Sequence, residues 1–212
     1  MIKLVSLNIA LPEKCNLNSE SKKKLTGFFK KPVDRKIFLD EMGFRGDGVG
    51  DPRIHGGKDL AICSYFVDHY PYWLEILQRE LKPGAFGENL SLSGINEKKI
   101  NIGDIFRIGE AEIEVSQPRQ PCHKLNKVFD FQAMACKVQK SGFTGCYFRV
   151  KKTGWVNPDS IFEKIKEGFG KISIEMVNVL MFKEKQNQDL LKKVACLQPL
   201  SIDWREKFQK RI

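Results

Sequence analysis

The sequence DIFRIGEAEIEVSQPRQPCHKL occupies residues 104–125 and gives the clearest fold signal in the chain. Apolar and polar residues alternate on both sides of Gly109-Glu110, which is the pattern of two antiparallel strands joined by a tight turn. We therefore predict a β-hairpin from residues 104–108 and 111–116. The remaining residues leave the second strand, pass two prolines and reach a cysteine.

Short apolar runs separated by turns extend this pattern over most of the chain. Further strands are predicted at residues 2–9, 37–39, 59–66, 86–92, 145–151 and 160–165. Several short strands at this spacing are typical of a β-barrel. The glycine-rich stretch between residues 43 and 58 is predicted to be a long loop, and loops of such length often carry function.

Two helices are predicted inside this β-rich part. Asp68 is placed to cap the first helix. Its packing face carries Tyr70, Trp73, Leu74 and Leu77. For this stripe we favour core packing over substrate stacking. Asn126 is placed to cap the second helix, which we expect to run to about residue 140.

The pattern becomes helical after Gly170. Ser173 and Met176 form an imperfect capping box, and helices are predicted at residues 173–183, 187–196 and 201–211. The predicted fold class is therefore mostly β, a barrel with flanking helices and a small C-terminal three-helix appendage. We assign residues 1–170 to the barrel domain and residues 171–212 to the helical domain.

Composition is that of a folded protein without a membrane segment. Hydrophobic residues make up 42% and charged residues 29% of the 212 residues, close to globular averages. No run approaches the roughly 20 apolar residues of a membrane span, and the first ten residues are too short and too alternating for a signal peptide. The six cysteines have no paired spacing, so we predict free thiols and a cytoplasmic location.

The net charge is +10, because 36 Lys and Arg outnumber 26 Asp and Glu. Such a field attracts anionic ligands or partners. A nucleic-acid-binding module is one alternative, and it predicts an affinity that falls steeply with added salt. The lysine runs at residues 22–24, 151–152 and 192–193 are dispersed and lack interleaved aromatic residues, which favours a solvated surface over nucleic acid.

Cys122 stands on a loop that proline stiffens. Pro118 and Pro121 each fix one backbone dihedral, so the thiol loses little entropy when it binds a ligand. Three neighbours can stabilise the thiolate: Arg119, His123 and Lys124. A lone cysteine is otherwise a small buried hydrophobic residue, and from the residues alone that alternative stays open.

A second candidate cluster reads RIHGGK from Arg53 to Lys58. Glycines let the backbone approach a ligand, and the successive amides of Gly56 and Gly57 can form an anion-binding nest. Arg53, Lys58 and His55 would add charge-assisted hydrogen bonds to a phosphate. A plain tight turn is the alternative, because the spacing matches neither the Walker nor the dinucleotide-binding glycine motif.

The third candidate is the segment AFGENL at residues 85–90, where a glycine turn passes into a strand. It presents a carboxylate, Glu88, and an amide, Asn89. Asn89 has donor and acceptor groups that suit the edge of a heterocycle. Satisfying its own turn is an equally good interpretation.

Taken in their order along the chain, the three segments resemble the signature of YiiM-type MOSC-domain proteins, the molybdenum cofactor sulfurase C-terminal domain family. The shared motifs are His-Gly-Gly, Phe-Gly-Glu-Asn-Leu and Gln-Pro-Arg-x-Pro-Cys-x-Lys-Leu. Residues 103–107 and 65–73 also match, and the helical tail is similar to the small C-terminal domain of that family. The resemblance therefore covers most of the chain.

This resemblance implies a β-barrel that holds a molybdenum cofactor, a pterin dithiolene with a phosphate, through one cysteine thiolate on the metal. Cys122 matches that cysteine, and a soft thiolate suits a soft dithiolene-bound metal. The residues implied along the pterin and phosphate are Arg53, His55, Gly56, Gly57, Lys58, Asn89, Arg119 and Lys124. His123 and His55 are the candidate proton donors, because histidine titrates near neutrality.

The resemblance also implies an activity, the reduction of N-hydroxylated compounds such as hydroxylaminopurine-type base analogues by oxygen transfer to reduced molybdenum. Electrons would come from a separate flavin or iron–sulfur reductase. The alternative is a molybdenum cofactor or sulfur carrier, in which Cys122 holds molybdopterin or a persulfide without turnover. The sequence leaves a homodimer open. Three separated histidines and cysteines without paired spacing disfavour a zinc or iron site.

Overall fold

The computed structural model describes residues 1–15, 24–184 and 186–212. Two lysines of the run at residues 22–24 lie outside the described residues. The strands are β1 (Lys3–Ile9), β2 (Glu13–Cys15), β3 (Lys24–Thr26), β4 (Lys31–Pro32), β5 (Ile37–Asp40), β6 (Gly43–Phe44), β7 (Ile62–Phe66), β8 (Leu90–Ser93), β9 (Ile105–Ile108), β10 (Ala111–Pro118), β11 (Cys146–Lys152), β12 (Gly154–Val156) and β13 (Phe162–Lys166). The helices are α1 (Pro52–His55), α2 (Tyr70–Leu77), α3 (Lys124–Val128), α4 (Met134–Ser141), α5 (Ile174–Phe182), α6 (Gln188–Ala195) and α7 (Ile202–Gln209).

Eight of these strands form one curled mixed sheet, in the order β13-β9-β10-β11-β7-β8-β1-β4. Neighbouring strands are antiparallel except β7 and β8, which are parallel. Among the described residues the edge strands β13 and β4 do not pair with each other, so the sheet is a half-barrel. The predicted β-rich architecture with flanking helices and three C-terminal helices is confirmed.

The predicted hairpin forms from β9 and β10. Gly109 has a φ of +58°, and a Cβ there would lie 2.5 Å from the carbonyl oxygen of Trp155, so the turn requires glycine. β10 runs on to Pro118, and its register against β11 shifts between Val115 and Gln117. Such a bulge re-aims the end of a strand. The loop that carries Cys122 therefore leaves the sheet from a bulged strand end.

Two hydrophobic clusters hold the fold together. The larger one is continuous from the half-barrel into the C-terminal helices, since Phe106 and Phe148 of the sheet share it with Trp204 and Phe208 of α7. Each such side chain contributes roughly 1.5–3 kcal/mol on full burial. The smaller cluster contains Trp73 and packs α2 against α3 and α4. The C-terminal helices therefore pack against the sheet and share its hydrophobic core.

The start and packing face of α2 differ from the prediction. Asp68 does not cap the helix, because its carboxylate accepts a hydrogen bond from the Gly94 amide at 2.7 Å and His69 is the N-cap residue. Trp73 is fully buried as expected, but Leu74 is 42% exposed. The packing face therefore excludes Leu74.

The helix predicted between residues 126 and 140 is in fact two helices, α3 and α4. Asp130 adopts a φ of +49°, a left-handed conformation that interrupts a helix. The Asn126 side chain accepts a hydrogen bond from the Ala135 amide at 2.8 Å. Asn126 thus satisfies a free amide at the start of α4, not of its own helix.

The stretch between residues 43 and 58 is not a plain loop, because it contains β6 and α1. Asp51 caps α1 by accepting a hydrogen bond from the Arg53 amide at 3.1 Å. The strand predicted from residue 59 begins only at Ile62, since Lys58–Leu60 is a 3-10 turn. These short elements give the segment a defined shape beside the sheet.

All six cysteines are free thiols, as predicted. The apolar segments around Cys63, Cys136 and Cys146 predict core positions for all three. Cys63 and Cys146 are buried, but Cys136 is exposed, so the prediction is wrong for Cys136. No helix in the described part of the chain combines the length and the apolar character needed to cross a membrane.

Candidate functional site

Two cavities lie against the loop that follows β10. The first, of about 480 Å³, is bordered by Arg119, Lys124, Asn89 and the turn at Gly56-Gly57, and we call it the cationic cavity. The second, of about 530 Å³, is bordered by Cys122 and by the first turn of α7, and we call it the Cys122 cavity. The residues that border both cavities form the wall between them: His55, Gly56, Gly57, Leu60 and Tyr147.

The two cavities differ in charge. The charged residues around the cationic cavity are three cations and one carboxylate: Lys30, Arg119, Lys124 and Asp47. Around the Cys122 cavity two lysines balance two aspartates: Lys58, Lys207, Asp59 and Asp203. The first cavity therefore suits an anion, and the second suits a ligand without net charge.

Arg119 is the first of the three cations that border the cationic cavity. Its backbone amide donates to the Gly145 carbonyl at 3.1 Å, which fixes the start of the loop. Its Nη1 atom is buried and has no hydrogen-bond partner within the described ranges. Burial acts to lower the pKa of Arg119, but Cys63, Tyr147 and Cys122 raise it above its ordinary value, so the guanidinium stays charged. A buried charge without a partner is costly, and an anionic ligand would remove that cost.

The second cation, Lys30, is already neutralised. It pairs with Asp47, and both side chains are nearly buried. Asp47 also accepts from the Ala10 amide at 2.8 Å and from Asn89 Nδ2 at 2.8 Å. The net positive charge of the cavity therefore rests on Arg119 and Lys124.

Asn89 borders the cationic cavity, but its polar atoms are used inside the protein. Its Nδ2 donates to Asp47, and its Oδ1 accepts from the Cys63 amide at 3.1 Å. The neighbouring Glu88 is equally internal, since its carboxylate accepts from the Gly84 amide at 2.8 Å. Of the two interpretations of this segment, the geometry favours the scaffold role over the reading of a heterocycle edge.

His55 lies in the wall between the cavities and is half-buried. Burial lowers the pKa of His55 below its ordinary value, and the positive charges of Lys124 and Arg119 lower it further. Its imidazole is therefore neutral near pH 7 while the cavity holds no anion. An anion bound beside it would raise its pKa again.

The glycine turn does not have the predicted nest geometry at Gly56. The Gly56 amide donates to the Pro52 carbonyl at 3.0 Å, and its backbone is extended. That amide is thus already used. Gly57 has a φ of +107° and a ψ of 161°, a region essentially restricted to glycine, and a Cβ there would meet no atom within 4 Å. The turn needs glycine for its backbone conformation.

Two predicted phosphate-binding cations point towards carboxylates. Arg53 is 88% exposed and pairs with Asp51 at 3.0 Å, and it borders neither cavity. Lys58 is 71% exposed and pairs with Glu41 at 2.6 Å, although it borders the Cys122 cavity. The structure therefore does not bring Arg53 and Lys58 together with Arg119.

Cys122 is half-exposed and borders the second cavity next to the His55 turn. Its carbonyl accepts from the Leu125 amide at 3.1 Å, which holds the bend just before α3. His123 is exposed and borders neither cavity. Of the two histidines singled out from the sequence, only His55 faces the site.

Sequence reasoning missed two groups beside Arg119. Cys63 borders the cationic cavity, and burial raises its pKa above the ordinary value. Tyr147 lies in the wall, and burial raises its pKa as well. Cys63 comes from β7 and Tyr147 from β11, and these strands are neighbours in the sheet. Only strand pairing shows this proximity, since the two residues are far apart in sequence.

Comparison with known proteins matches the MOSC domain over residues 51–162 and the YiiM-like, 3-alpha helix domain over residues 172–212. The chain is 41% identical to the uncharacterized protein YflK of Bacillus subtilis (98% of this chain, 93% of that protein). It is 35% identical to protein YiiM of Escherichia coli (84% of this chain, 81% of that protein). A protein of Gibberella moniliformis named Reductase is 30% identical over 82% of this chain, which corresponds to 31% of that protein.

Among solved structures, the crystal structure of YiiM from Geobacillus stearothermophilus superposes with a TM-score of 0.85 at 33% identity, covering 100% of this chain and 99% of that chain. The agreement extends over both the half-barrel and the C-terminal helices. The chain belongs to the MOSC-domain family and carries the YiiM-like three-helix domain.

Proposed function

We propose that this protein binds a molybdenum cofactor, with its anionic part in the cationic cavity and Cys122 as the protein ligand to the metal, and that it reduces N-hydroxylated compounds. Membership of the MOSC-domain family supports cofactor binding. The relative named Reductase supports an oxidoreductase. The observation that carries the proposal is the buried Nη1 of Arg119, which has no hydrogen-bond partner in the described part of the chain and lies at a cavity whose net charge is positive.

The residues present fit an anionic organic cofactor. A cavity of about 480 Å³ is in the usual range for small-molecule sites. Arg119 and Lys124 would hold the phosphate through charge-assisted hydrogen bonds. Asn89 would act indirectly, because it positions Asp47 and the start of β8. Arg53 and Lys58 would join only if they left their carboxylate partners.

Cys122 is a better metal ligand than Cys63. A metal binds the thiolate form of cysteine. Burial raises the pKa of Cys63 and keeps that thiol protonated, whereas Cys122 is half-exposed on a proline-stiffened bend. Arg119 and Cys122 stand three residues apart on one loop, which supports placing the anion-binding group and the metal ligand close together.

The bound cofactor would supply two-electron chemistry at the N–O bond of the substrate. The balanced reaction consumes two electrons and two protons, breaks the N–O bond, and gives an amine and water. We assign the electrons to a separate flavin or iron–sulfur reductase. The protein's own residues would hold the cofactor and move protons.

His55 is the better-placed of the two candidate proton donors. It lies in the wall that both cavities share, whereas His123 is exposed outside them. Because its pKa is lowered in the free protein, His55 becomes an effective acid only when a bound anion offsets Lys124 and Arg119. Cofactor binding would thus also raise the pKa of His55 and favour its protonated form.

A reconstituted assay tests the function. The protein is purified from a host that makes the cofactor, and a hydroxylaminopurine is supplied with a flavin reductase and NADH. We expect adenine to form in proportion to bound molybdenum. Bound cofactor without adenine formation under any donor would instead favour the carrier alternative. The cytoplasmic location, a homodimer and the domain division at residue 170 stay predictions.

A further inference from the structure

We infer that the Cys122 cavity is the substrate site, and that Ser201 of the C-terminal three-helix unit donates a hydrogen bond to an uncharged N-hydroxylated heterocycle bound there. This inference rests on the proposed function for the reaction, and on the geometry of α7 for the site. It gives the three-helix unit a part in substrate recognition.

The first observation is a side-chain hydroxyl that has no hydrogen-bond partner among the described residues. Ser201 is the N-cap residue of α7, yet its side chain makes no capping hydrogen bond. Its Oγ is buried and has no hydrogen-bond partner in the described part of the chain, and the residue is only 2% exposed. Ser173, the N-cap residue of α5, behaves in the usual way and accepts from the Met176 amide at 3.1 Å. A buried hydroxyl without a partner is costly, so a ligand that pairs with it is favoured.

The second observation is where this hydroxyl is held. The Ser201 amide donates to the Ser116 carbonyl of β10 at 3.0 Å, two residues before the proline loop begins. Lys207 Nζ donates to Gln120 Oε1 at 3.4 Å on the same loop. The first turn of α7 is thus fixed against the segment that carries Cys122. Ser201 and Cys122 border the same cavity of about 530 Å³.

The chemistry of the lining defines the class of ligand. Two lysines and two aspartates balance, so the cavity offers no net attraction to an anion. Asp203 stands in the first turn of α7, where it opposes the binding of negative charge at that helix end. The neutral polar groups include Gln117, Gln120 and Ser201, and Tyr147 and Trp204 add aromatic surface. An uncharged, planar compound with hydrogen-bond acceptors matches this lining.

Ser201→Ala is the informative variant, because the removed hydroxyl makes no hydrogen bond to any residue that the structure describes. We expect KM for a hydroxylaminopurine to rise roughly three- to tenfold with kcat little changed, which is the loss of one neutral hydrogen bond. The melting temperature should stay the same or rise, because a buried hydroxyl without a partner is removed. Ser173→Ala is the matched control, and it should lower the melting temperature while leaving KM unchanged.

Calorimetry with adenine on the cofactor-free full-length chain separates this inference from the proposed function. Adenine that binds wild type and binds Ser201→Ala several-fold more weakly supports the substrate site even if no turnover is found. Ile202→Trp, which adds bulk at an exposed residue bordering the cavity, should also weaken adenine binding. Equal KM and equal adenine affinity in wild type and Ser201→Ala would overturn the inference even if reductase activity is confirmed. Absence of adenine binding to wild type, together with an unchanged KM, would overturn it too.

Discussion

The two cavities share one wall, at His55 and Tyr147, but are built for different ligands. The cationic cavity is made by the half-barrel and the segment around α1, and it contains the Nη1 atom of Arg119, which is buried and has no partner among the described residues. The Cys122 cavity is completed by α7, and its charges cancel. On the proposed function, the first cavity would bind the anionic cofactor and the second the uncharged substrate. Only the second would then need the C-terminal unit, because α7 borders it and not the cationic cavity.

Arg119→Met should have the largest effect on the difference in ligand preference between the two cavities. Loss of the charge should weaken cofactor binding about 10- to 100-fold, because hydrogen bonds to charged groups contribute about 1.5–3 kcal/mol each. The cofactor-free protein should nevertheless melt at a slightly higher temperature, since the cost of burying Nη1 without a partner among the described residues is removed. Molybdenum content and differential scanning calorimetry measure the two effects.

Arg149→Met is the matched control for Arg119. Arg149 is also largely buried, but it donates to Asp59 at 2.7 Å and to Glu114 at 2.8 Å. Its loss should lower the free energy of unfolding by roughly 1–3 kcal/mol and leave cofactor affinity unchanged. If both variants lowered stability and neither changed cofactor content, Arg119 would be a structural residue.

Gly57→Ala should have an intermediate effect. The backbone at Gly57 is strained for any other residue, so the variant should lose roughly 1–3 kcal/mol of stability or shift the turn. Gly142 is a useful comparison, because it also has a positive φ and a Cβ there would also meet no atom within 4 Å. Only Gly57→Ala should reduce cofactor content, because Gly142 borders neither of the two cavities. Equal cofactor content in both variants would remove the turn from the binding site.

We expect a smaller effect on the free energy of unfolding when a change of pH protonates His55. Its pKa is lowered in the folded protein, so the unfolded chain binds the proton more readily. The stability that depends on a neutral His55 is therefore present above about pH 6.5 and is lost as the pH falls towards the folded pKa. His55→Gln should flatten this dependence. The imidazole resonances of His55, followed by NMR, should show a pKa below 6.5 that rises when an anion is bound.

The fold could be predicted from the sequence where local patterns act alone. The hairpin of β9 and β10 follows from alternation around a glycine turn, and the Ser173 cap from local side-chain chemistry. The prediction of one long helix after Cys122 is wrong, because Asp130 adopts a left-handed conformation and the Asn126 side chain accepts a hydrogen bond from the Ala135 amide. Neither feature has a periodic signal.

The candidate site was predictable only in part. The loop around Cys122 and the cation Arg119 stand out as unusual local sequence, and the structure places both at the wall between the cavities or beside it. Cys63, Tyr147 and Ser201 have no such signal, because strand pairing and helix docking bring them in from distant parts of the chain. Arg53 looked equivalent to Arg119, but pairing with Asp51 at the surface distinguishes the two.

The most direct test is the molybdenum and pterin content of three proteins purified from the same cofactor-competent host: wild type, Cys122→Ser and Cys63→Ser. We expect molybdenum in wild type and Cys63→Ser, and a large loss in Cys122→Ser. Equal molybdenum content in wild type and Cys122→Ser, or a loss confined to Cys63→Ser, would contradict the assignment of Cys122 as the metal ligand.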